Sequence, residues 1–452
     1  MLKVSVVRVR LLFLCIILIT LLINSCEKQE VNPIFDDTNT YRYYYETHLN
    51  EKQKEIYRIV LAGVLRLKTD FEVPFSSIEE YSSIFNYIRQ DNPILFYVSN
   101  FTLKTYSNKK KCVFVPKYLH DKAYIIRRMQ DIEEYLFQFE IAKNMSDLDK
   151  ELYVYKFFTD SYVYDKRFRD SSYNILGPVM YKTAVCDGIA KSIKLVFDHI
   201  GLKCIYVTGK MINPPPEANT DGHAWNIVFI DDKAYHLDVT WDLPEQGKKA
   251  EYYTNLNLTD SEVKRTRIIE SKTPPCTVTG LDYFTINGLV VNNLNEFSLF
   301  IYRRLVNRER RIVVRFLNMS FSKPFYDSMV DISRQQYLEV YNSVAAINTV
   351  YDEALMIFEL IFETQGTDYS TKNIQVVSSI NEYRNYVDQC LRKKQNSIVV
   401  RFRNMQYSDR LYKQIQDIAM DKYIEINKKG VSLNIQYFKD EMIFELELRQ
   451  SR

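Results

Sequence analysis

The sequence predicts an α+β protein made of several units, and three observations carry that prediction. Apolar residues recur with helical spacing in some segments and form short buried runs in others. The chain of 452 residues is too long for one ordinary hydrophobic core, which suggests two to four domains. A stretch near the C-terminus occurs twice, so two of those domains are of one kind. With 46% apolar residues and 35 tyrosines, the chain can fill such cores.

Residues 1–25 read as a secretory signal peptide. Three basic residues precede an apolar run from Leu11 to Ile23, which is shorter than the roughly 20 residues needed to span a membrane. Ile23-Asn24-Ser25-Cys26 resembles a bacterial lipobox, which implies that Cys26 is lipidated; an ordinary signal peptide or an uncleaved anchor is the alternative. The protein is therefore expected to be exported and lipid-anchored to the bacterial cell envelope, on its periplasmic or cell-surface side.

Charge and cysteine spacing exclude two classes of function. Loss of the signal peptide removes three positive and no negative charges, so the net charge falls from +3 to 3 − 3 = 0. A neutral chain lacks the excess positive charge that nucleic-acid binding requires. No CxxC or HExxH pattern is present, so neither a metal nor another cofactor is expected. Besides Cys26, the mature chain keeps five cysteines, an odd number whose pairing stays open: Cys112, Cys186, Cys204, Cys276 and Cys390.

After a polar tether at 26–42, residues 43–139 read as an N-terminal α/β domain. Helical spacing runs from Tyr43 to about Leu67, and Asp91-Asn92-Pro93 then breaks the chain. The apolar run ILFYV (94–98) and the run KCVFV (111–115) are predicted as strands, and a helical stretch from about 119 to 143 ends the unit.

The C-terminal part is a tandem duplication. IVVRFLNM (312–319) recurs as IVVRFRNM (398–405) and MIFEL (356–360) as MIFEL (442–446), always 86 residues apart. Between 294–363 and 380–449, 23 of 70 positions are identical. Each copy is predicted as helix, strand, helix and a strand hairpin. We place the two repeats at 280–365 and 366–452, as a spacer or recognition scaffold.

Residues 140–275 carry the candidate chemistry, beginning with Cys186. Apolar positions after this cysteine predict a helix that runs to about His199 and is capped by Gly201. Cys186 then lies at the helix N-terminus, where unpaired N–H groups and the helix dipole favour a thiolate. Gly188 would let another segment approach closely. A buried structural cysteine at a helix start is the alternative interpretation.

Two strands, HAWNIVFI (223–230) and AYHLDVTW (234–241), follow. If Asp231-Asp232 is a two-residue turn, paired positions sum to 463, and His223 and Asp238 become diagonal neighbours on one face. A three-residue loop would place them on opposite faces. A cysteine, a histidine and an aspartate so arranged meet the requirements of a nucleophile, a base and a group that orients the base.

These motifs resemble the transglutaminase-like superfamily, whose catalytic core is papain-like. The resemblance rests on Val185-Cys186-Asp187-Gly188, on Gly222-His223-Ala224-Trp225-Asn226 and on His236-Leu237-Asp238-Val239-Thr240-Trp241, and it covers roughly 140–275. It implies that Cys186 is the nucleophile, His223 the general base and acid, and Asp238 the orienting carboxylate. A turn glycine that is common in the family is Asp232 here.

Further site residues are less well defined by the sequence. The backbone N–H of Cys186 is an expected oxyanion donor, and Tyr173 and Asn226 are candidates for a side-chain donor. Trp225 and Trp241, the two tryptophans of the chain, are candidates for a cleft wall, although packing in the core is the more ordinary use of such side chains.

The triad implies acyl transfer through a thioester. We expect a cysteine hydrolase, a peptidase or other amide hydrolase acting on protein or peptide. Protein-glutamine crosslinking or deamidation is the alternative within the enzyme class. A surface-anchored protein that binds polypeptide or glycan on a core without turnover is the alternative from another class.

Overall fold

The computed structural model describes residues 40–105, 111–214, 220–244, 250, 252–341, 345–364, 374–428, 431–438 and 442–450. Both helices and strands are abundant, and the α+β fold class predicted from the sequence is confirmed. The chain divides after Tyr283 into two compact units, Met1–Tyr283 and Phe284–Arg452.

The signal peptide predicted at 1–25, the predicted lipidation site Cys26 and most of the predicted tether at 26–42 lie outside the described residues. Export and lipidation therefore stay predictions. Within the described ranges, every helix is too short or too polar to cross a membrane.

The first part of unit 1 combines four helices with a three-stranded sheet. Its elements are α1 (Tyr43–His48), α2 (Glu51–Leu65), β1 (Phe71–Pro74), α3 (Ile78–Asp91), β2 (Val98–Thr105), β3 (Lys111–Tyr118) and α4 (Lys122–Phe137). The strand order is β1-β3-β2, with antiparallel pairs. Ser77 begins α3 by accepting a hydrogen bond from the backbone N–H of Glu80, and Asp121 caps α4 in the same way.

One predicted strand of this region is wrong. ILFYV (94–98) was expected as a strand, but residues 94–97 form buried turns and β2 begins only at Val98. A short apolar run indicates burial without specifying the backbone conformation, because its periodicity does not separate a strand from other buried segments. The strand predicted at 111–115 is confirmed and extends to Tyr118.

The rest of unit 1 packs helices against a four-stranded antiparallel sheet. Its elements are α5 (Asp147–Ser161), β4 (Val163–Tyr164), α6 (Leu176–Tyr181), β5 (Thr183–Ala184), α7 (Cys186–Ile200), β6 (Cys204–Met211), β7 (Gly222–Ile230), β8 (Lys233–Leu237), α8 (Asp260–Val263) and β9 (Arg267–Ile269). The strand order is β8-β7-β6-β9. Helix α7 lies against β6 and β7, and so carries its first residue to this sheet.

Both parts of unit 1 share one hydrophobic core. A continuous cluster of buried side chains includes Tyr81 of α3, Ile132 of α4, Val154 of α5 and Ile193 of α7. The boundary predicted between residues 139 and 140 therefore lies inside a common core, and burial of apolar surface on both sides of it stabilises the two parts together.

Within this core, Glu151 of α5 is a buried acid. It has no exposed surface, and its Oε2 accepts a hydrogen bond of 2.8 Å from Nδ2 of Asn257. Burial, only partly offset by this bond, raises the pKa of Glu151 from 4.5 to about 8. Because the folded-state pKa lies above the unfolded one, the stability contributed by Glu151 is complete below pH 4.5 and is lost as the pH rises through 8.

We expect Glu151→Gln to stabilise unit 1 at pH 8 by on the order of 1–3 kcal/mol and to change nothing near pH 4.5, because the amide has no charge to desolvate. Thermal unfolding of the two proteins across pH 4.5–8.5 measures this. Glu133→Gln, at an exposed position of α4, is the matched control. A Glu151→Gln effect that does not vary with pH would show that Glu151 is not titrating over this range.

Unit 2 contains two copies of one α/β fold. The first comprises β10 (Val290–Val291), α10 (Leu294–Val306), β11 (Arg311–Phe316), α11 (Lys323–Tyr341), β12 (Ala345–Asp352) and β13 (Ile357–Thr364), after the short helix α9 (Tyr283–Ile286). The second comprises β14 (Gln375–Val377), α12 (Ile380–Arg392), β15 (Ser397–Phe402), α13 (Asp409–Asn427), β16 (Val431–Phe438) and β17 (Ile443–Gln450). The strand orders, β10-β11-β13-β12 and β14-β15-β17-β16, are equivalent.

The predicted order of helix, strand, helix and hairpin occurs in both copies, each preceded by a short parallel strand. Helices α10 and α12 begin at Leu294 and Ile380, which is 380 − 294 = 86 residues apart, as the sequence duplication requires. Each copy has its own apolar core. A small third cluster, formed by Leu338 with Val399 and Ile443, joins α11 of the first copy to the sheet of the second.

Candidate functional site

Cys186 is the first residue of α7 and is half-buried. The preceding residue, Val185, has extended backbone and makes no side-chain cap, so the first N–H groups of the helix keep their capacity to bind an anion. The helix start is held against the 3₁₀ turn Asp170–Tyr173, because Val185 N–H donates to the Ser172 carbonyl at 3.1 Å.

Gly188 makes this close approach feasible, as the sequence suggested. A Cβ atom at position 188 would lie 2.3 Å from the Ser172 carbonyl oxygen and 2.9 Å from the Cβ of Ala184. Real Cβ atoms do not approach backbone oxygen so closely, and any larger residue would push the helix start away from the turn. The position of Cys186 thus depends on a glycine in the first turn of its own helix.

Asp165 fixes the same turn and was not identified from the sequence. Its carboxylate accepts hydrogen bonds from the Ser172 hydroxyl, from Nε of Arg169 at 2.9 Å and from the backbone N–H of Arg167 at 3.0 Å. Burial acts to raise the pKa of Asp165, but these bonds outweigh it and hold the pKa well below its usual value. Asp165 therefore stays ionised and anchors the segment that packs on the start of α7.

The hairpin of β7 and β8 has the register predicted for a two-residue turn. Ile230 pairs with Lys233 and Asn226 with Leu237, so that paired positions sum to 463. Asp231 and Asp232 both adopt left-handed backbone, with φ of 49° and 60°, as the tight turns that join twisted strands require. Aspartate tolerates this conformation, which explains how the turn forms without glycine.

This register brings His223 and Asp238 together. Nε2 of His223 lies 2.6 Å from Oδ2 of Asp238, and both side chains are buried, with 2% and 4% of their surface exposed. Since Nε2 faces the carboxylate, Nδ1 is the ring nitrogen that remains for Cys186. The thiol of Cys186 contributes both a hydrogen bond and a charge interaction to the electrostatic environment of His223.

Arg267 is a third member of this charge cluster and was missed by sequence reasoning. Its Nε and Nη2 lie 2.9 and 2.7 Å from Oδ2 of Asp238, and Nη2 also donates to Oδ1 of Asn255 at 2.6 Å. The side chain is 1% exposed. Arg267 begins β9, on the far edge of the sheet, and no spacing relative to the motifs points to it.

The cluster sets the protonation of both partners. Burial acts to raise the pKa of Asp238, but the charges of His223 and Arg267 outweigh it and lower the pKa to about 2. Burial acts to lower the pKa of His223, but the charge and hydrogen bond of Asp238 and the contact with Cys186 raise it to about 9. At neutral pH the ring is therefore an imidazolium beside a carboxylate.

We expect the ring of His223 to titrate near pH 9 in the folded protein, which ¹³C-histidine NMR measures directly; His223→Gln identifies its signal. Because the folded-state pKa lies above the ordinary histidine pKa of 6.5, the charged pair contributes its full stability below pH 6.5 and loses it as the pH rises through 9. The difference in thermal stability between the two proteins should shrink over the same range. Titration at pH 6–7 would contradict this assignment.

The two tryptophans occupy different positions around His223. Trp225 is 1% exposed, stacks on the His223 ring at a centroid distance of 5.8 Å, and donates from Nε1 to Nδ1 of His236 at 3.0 Å. Trp241 is 36% exposed, lies 5.3 Å from the His223 ring, and has the Arg267 guanidinium 3.6 Å above its own ring. Of the two candidates for a cleft wall, Trp241 has an exposed surface and Trp225 belongs to the core.

The prediction of Asn226 as an oxyanion donor is wrong. Its Nδ2 donates to the carbonyl oxygens of Ala190 at 2.9 Å and Ile205 at 3.3 Å, and its side chain is buried. One amide hydrogen therefore ties β7 to α7 and the other ties it to β6, and neither remains for an oxyanion. Tyr173 lies at the end of the 3₁₀ turn and is 38% exposed; its role as a donor stays a prediction.

Asp187 has a definite structural role next to Cys186. Its Oδ1 accepts a hydrogen bond of 2.5 Å from the Tyr206 hydroxyl, and its Oδ2 accepts one of 2.8 Å from Nζ of Lys191. Burial first, and then the charge of Asp187, raises the pKa of Tyr206 well above its usual value. Asp187 therefore links α7 to β6.

His236, Asp260 and Cys276 form the one group within the described residues whose donor atoms are close enough to hold a metal, all within 4.8 Å. Nε2 of His236 faces Oδ1 of Asp260 at 2.8 Å, while Nδ1 accepts a hydrogen bond from Trp225. A metal-bound histidine normally donates from its other nitrogen. Here that nitrogen already accepts, so the group fits a neutral histidine with its proton on Nε2 better than a metal ligand.

The other cysteines of the described chain are unpaired and buried: Cys112, Cys204, Cys276 and Cys390. Burial raises the pKa of Cys204 and of Cys276 far above the ordinary thiol value. Cys186, which is half-buried, is thus the accessible thiol of the described residues.

Comparison with known proteins places this site in a family context. Residues 137–239 match the family model of the transglutaminase-like superfamily, a range that contains all three predicted triad positions. No curated protein matches the chain.

Two solved structures are similar over part of the chain. A crystal structure of a TGase is 17% identical, with 34% of this chain and 48% of that chain covered and a TM-score of 0.23. A proposed cysteine protease from Cytophaga hutchinsonii is 13% identical, with 32% and 63% covered and a TM-score of 0.21. The match spans about half of the first structure and less than two thirds of the second.

Proposed function

From the transglutaminase-like domain that this chain contains, we propose that the protein is a cysteine-dependent acyl-transfer enzyme, and specifically a peptidase or other amide hydrolase that acts on protein or peptide. One observation carries the proposal: the 2.6 Å pairing of Nε2 of His223 with Oδ2 of Asp238, on a sheet that packs against the helix started by Cys186. A nucleophile, a base and an orienting carboxylate are the parts that covalent amide cleavage needs.

The reaction proceeds in two steps. The Cys186 sulfur attacks the amide carbonyl carbon, a C–S bond forms, and the negative charge on the carbonyl oxygen is stabilised by the free N–H groups at the start of α7. The C–N bond then breaks as Nδ1–H of the His223 imidazolium gives its proton to the leaving amine. Water attacks the thioester carbonyl while His223 takes one of its protons; the C–S bond breaks, the carboxylic acid leaves, and the Cys186 thiolate is restored beside the His223 imidazolium.

Asp238 holds the ring for both steps. Its bond to Nε2 fixes the orientation that points Nδ1 away from the carboxylate, and its charge favours the imidazolium that forms during each turnover. Asp238 itself stays ionised, since its pKa is lowered to about 2. No cofactor takes part in these steps.

The first test is the rate at which iodoacetamide alkylates Cys186 as a function of pH, followed by peptide mass spectrometry in the natural protein and in His223→Ala. We expect faster alkylation in the natural protein than in the variant at each pH at which His223 is charged, because the imidazolium in contact with Cys186 favours reaction at its sulfur. Buried Cys112 and Cys390 serve as internal controls. Equal, slow rates in both proteins would overturn the proposal in favour of a binding protein without turnover.

Glutamine crosslinking or deamidation uses the same thioester, and the acceptor separates these reactions from hydrolysis. Incubation with casein and dansylcadaverine gives peptide fragments if water attacks a peptide-derived thioester, and fluorescent casein of unchanged length if the amine attacks. We propose hydrolysis as the main outcome; incorporation of the amine without cleavage would transfer the assignment to a transamidase.

We propose that this activity operates outside the cytoplasm, on a protein anchored through Cys26 to the bacterial cell envelope. The basis is the basic and apolar leader that ends in Ile23-Asn24-Ser25-Cys26. Metabolic labelling with an alkyne fatty acid should mark the natural protein and not Cys26→Ala. Equal labelling of both proteins, or of neither, would rule out a lipid anchor at Cys26.

A further inference from the structure

A cavity of about 230 Å³ lies at the start of α7 within unit 1. We call it the side pocket; its walls include Arg89, Leu95, Phe96, Tyr173, Asp187 and Lys191. Asp187 follows Cys186 in α7, and Tyr173 follows Ser172, whose carbonyl accepts from Val185 N–H. The pocket therefore lies at the same helix start that carries Cys186. Its volume is below that of sites for whole ligands and suits one side chain.

The wall contributed by the N-terminal part is apolar and firmly held. Leu95 and Phe96 are 4% and 6% exposed, and both belong to the shared core of unit 1. Asn92, which also lines the pocket, donates from Nδ2 to the Tyr57 hydroxyl at 2.8 Å and to the Ile88 carbonyl at 2.7 Å. Leu95 and Phe96 belong to the run 94–98 that was predicted as a strand. The run forms turns instead, and both residues line the cavity.

The charges of the pocket leave one cation unneutralised. Lys191 is paired with Asp187 at 2.8 Å and also donates to the Tyr173 carbonyl at 3.1 Å. The other oxygen of Asp187 is taken by Tyr206. Arg89 is exposed, and to the extent of the described residues it makes no ion pair or hydrogen bond. The pocket thus offers apolar walls for a hydrocarbon stem and a guanidinium for a negative tip.

We propose that the side pocket is a specificity subsite that binds the side chain of an acidic residue, glutamate or aspartate, next to the bond attacked by Cys186. This inference rests on the proposed function, which supplies the peptide substrate. The methylene groups pack against Leu95 and Phe96, and the carboxylate pairs with Arg89. A basic side chain would be repelled by the positive charges of Arg89 and Lys191, so it binds poorly.

Alkylation of Cys186 by amino-acid electrophiles tests the subsite without knowledge of the natural substrate. Two probe series place a single residue on either side of the reactive carbon: chloroacetyl-X-amides and N-acetyl-X chloromethyl ketones, with X as glutamate, glutamine or lysine. Each rate is divided by the iodoacetamide rate of the same protein. In one of the two series we expect glutamate to exceed lysine by about tenfold or more, the effect of one charge-assisted hydrogen bond in a partly enclosed site.

Arg89→Glu should reverse the order, so that the lysine probe becomes faster than the glutamate probe, and Arg89→Gln should abolish it. Arg58→Glu makes the same charge change at an exposed position of α2 and should leave the order unchanged. Normal iodoacetamide reactivity with no glutamate preference in either series would overturn the subsite and leave the proposed function standing. A slow iodoacetamide rate that His223→Ala does not change would overturn the proposed function itself.

Discussion

Cys186→Ser is expected to lower turnover of an amide substrate by roughly 10⁴-fold, the size of loss that follows removal of the nucleophile from a cooperative triad. The serine hydroxyl has nearly the shape of the thiol but a far higher pKa. The imidazolium of His223, with a pKa raised to about 9, suits a site that holds a thiolate and is a poor base for a hydroxyl while it stays protonated.

The measurement is hydrolysis of fluorescein-labelled casein by equal amounts of folded protein, checked by circular dichroism. Cys390→Ser changes a buried thiol in unit 2 and should retain the natural rate, which controls for effects of oxidation and handling. Activity in Cys186→Ser within tenfold of the natural rate would mean that the nucleophile lies elsewhere in the chain.

The part of the site that lies on one hairpin could be predicted from the sequence. A two-residue turn at Asp231-Asp232 fixes every pairing of β7 and β8, and hence which face of the hairpin each side chain occupies. His223 and Asp238 lie only 15 positions apart, and their meeting follows from local geometry. The helix start at Cys186 could be predicted equally well, because apolar periodicity and the Gly201 cap define α7.

The contacts that depend on distant segments could not be predicted. Arg267 approaches Asp238 because β9 pairs with β6, a pairing that no local pattern specifies. Asn226 belongs to a motif and was predicted to donate to the oxyanion, yet its amide donates to two backbone carbonyls of other elements. The run at 94–97 was recognised as buried, and only the tertiary structure shows that it forms turns that line a pocket at the start of α7.

Arg267→Met is expected to destabilise unit 1 by about 3–5 kcal/mol, the loss typical of breaking a buried ion pair from one side. The variant leaves the carboxylate of Asp238 buried with His223 as its one remaining cation, and it removes the guanidinium that covers Trp241. Arg58→Met, the same change at an exposed position of α2, should change stability by no more than about 0.5 kcal/mol. Denaturant unfolding measures both.

A second readout separates an electrostatic role of Arg267 from simple packing. With the guanidinium absent, Asp238 is held less strongly as an anion, and its charge acts on His223 alone. The pKa of His223 should therefore rise above about 9 in Arg267→Met, whereas loss of packing would expose the ring and move the pKa back towards 6.5. Arg267→Lys keeps the positive charge but cannot donate twice to Oδ2 of Asp238. The pKa of His223 in this variant should therefore lie between its values in the natural protein and in Arg267→Met.

The double variant Asp238→Asn/Arg267→Met distinguishes loss of charge compensation from loss of packing. If the single variant is unstable because it leaves a buried charge uncompensated, then removing that charge should restore much of the lost free energy of unfolding, and the two effects should be strongly non-additive. The double variant should nevertheless stay inactive, because an amide at position 238 no longer favours the imidazolium. Additive losses would instead assign Arg267 a packing role. The ion pair between Arg267 and Oδ2 of Asp238 would then contribute nothing to holding the triad together.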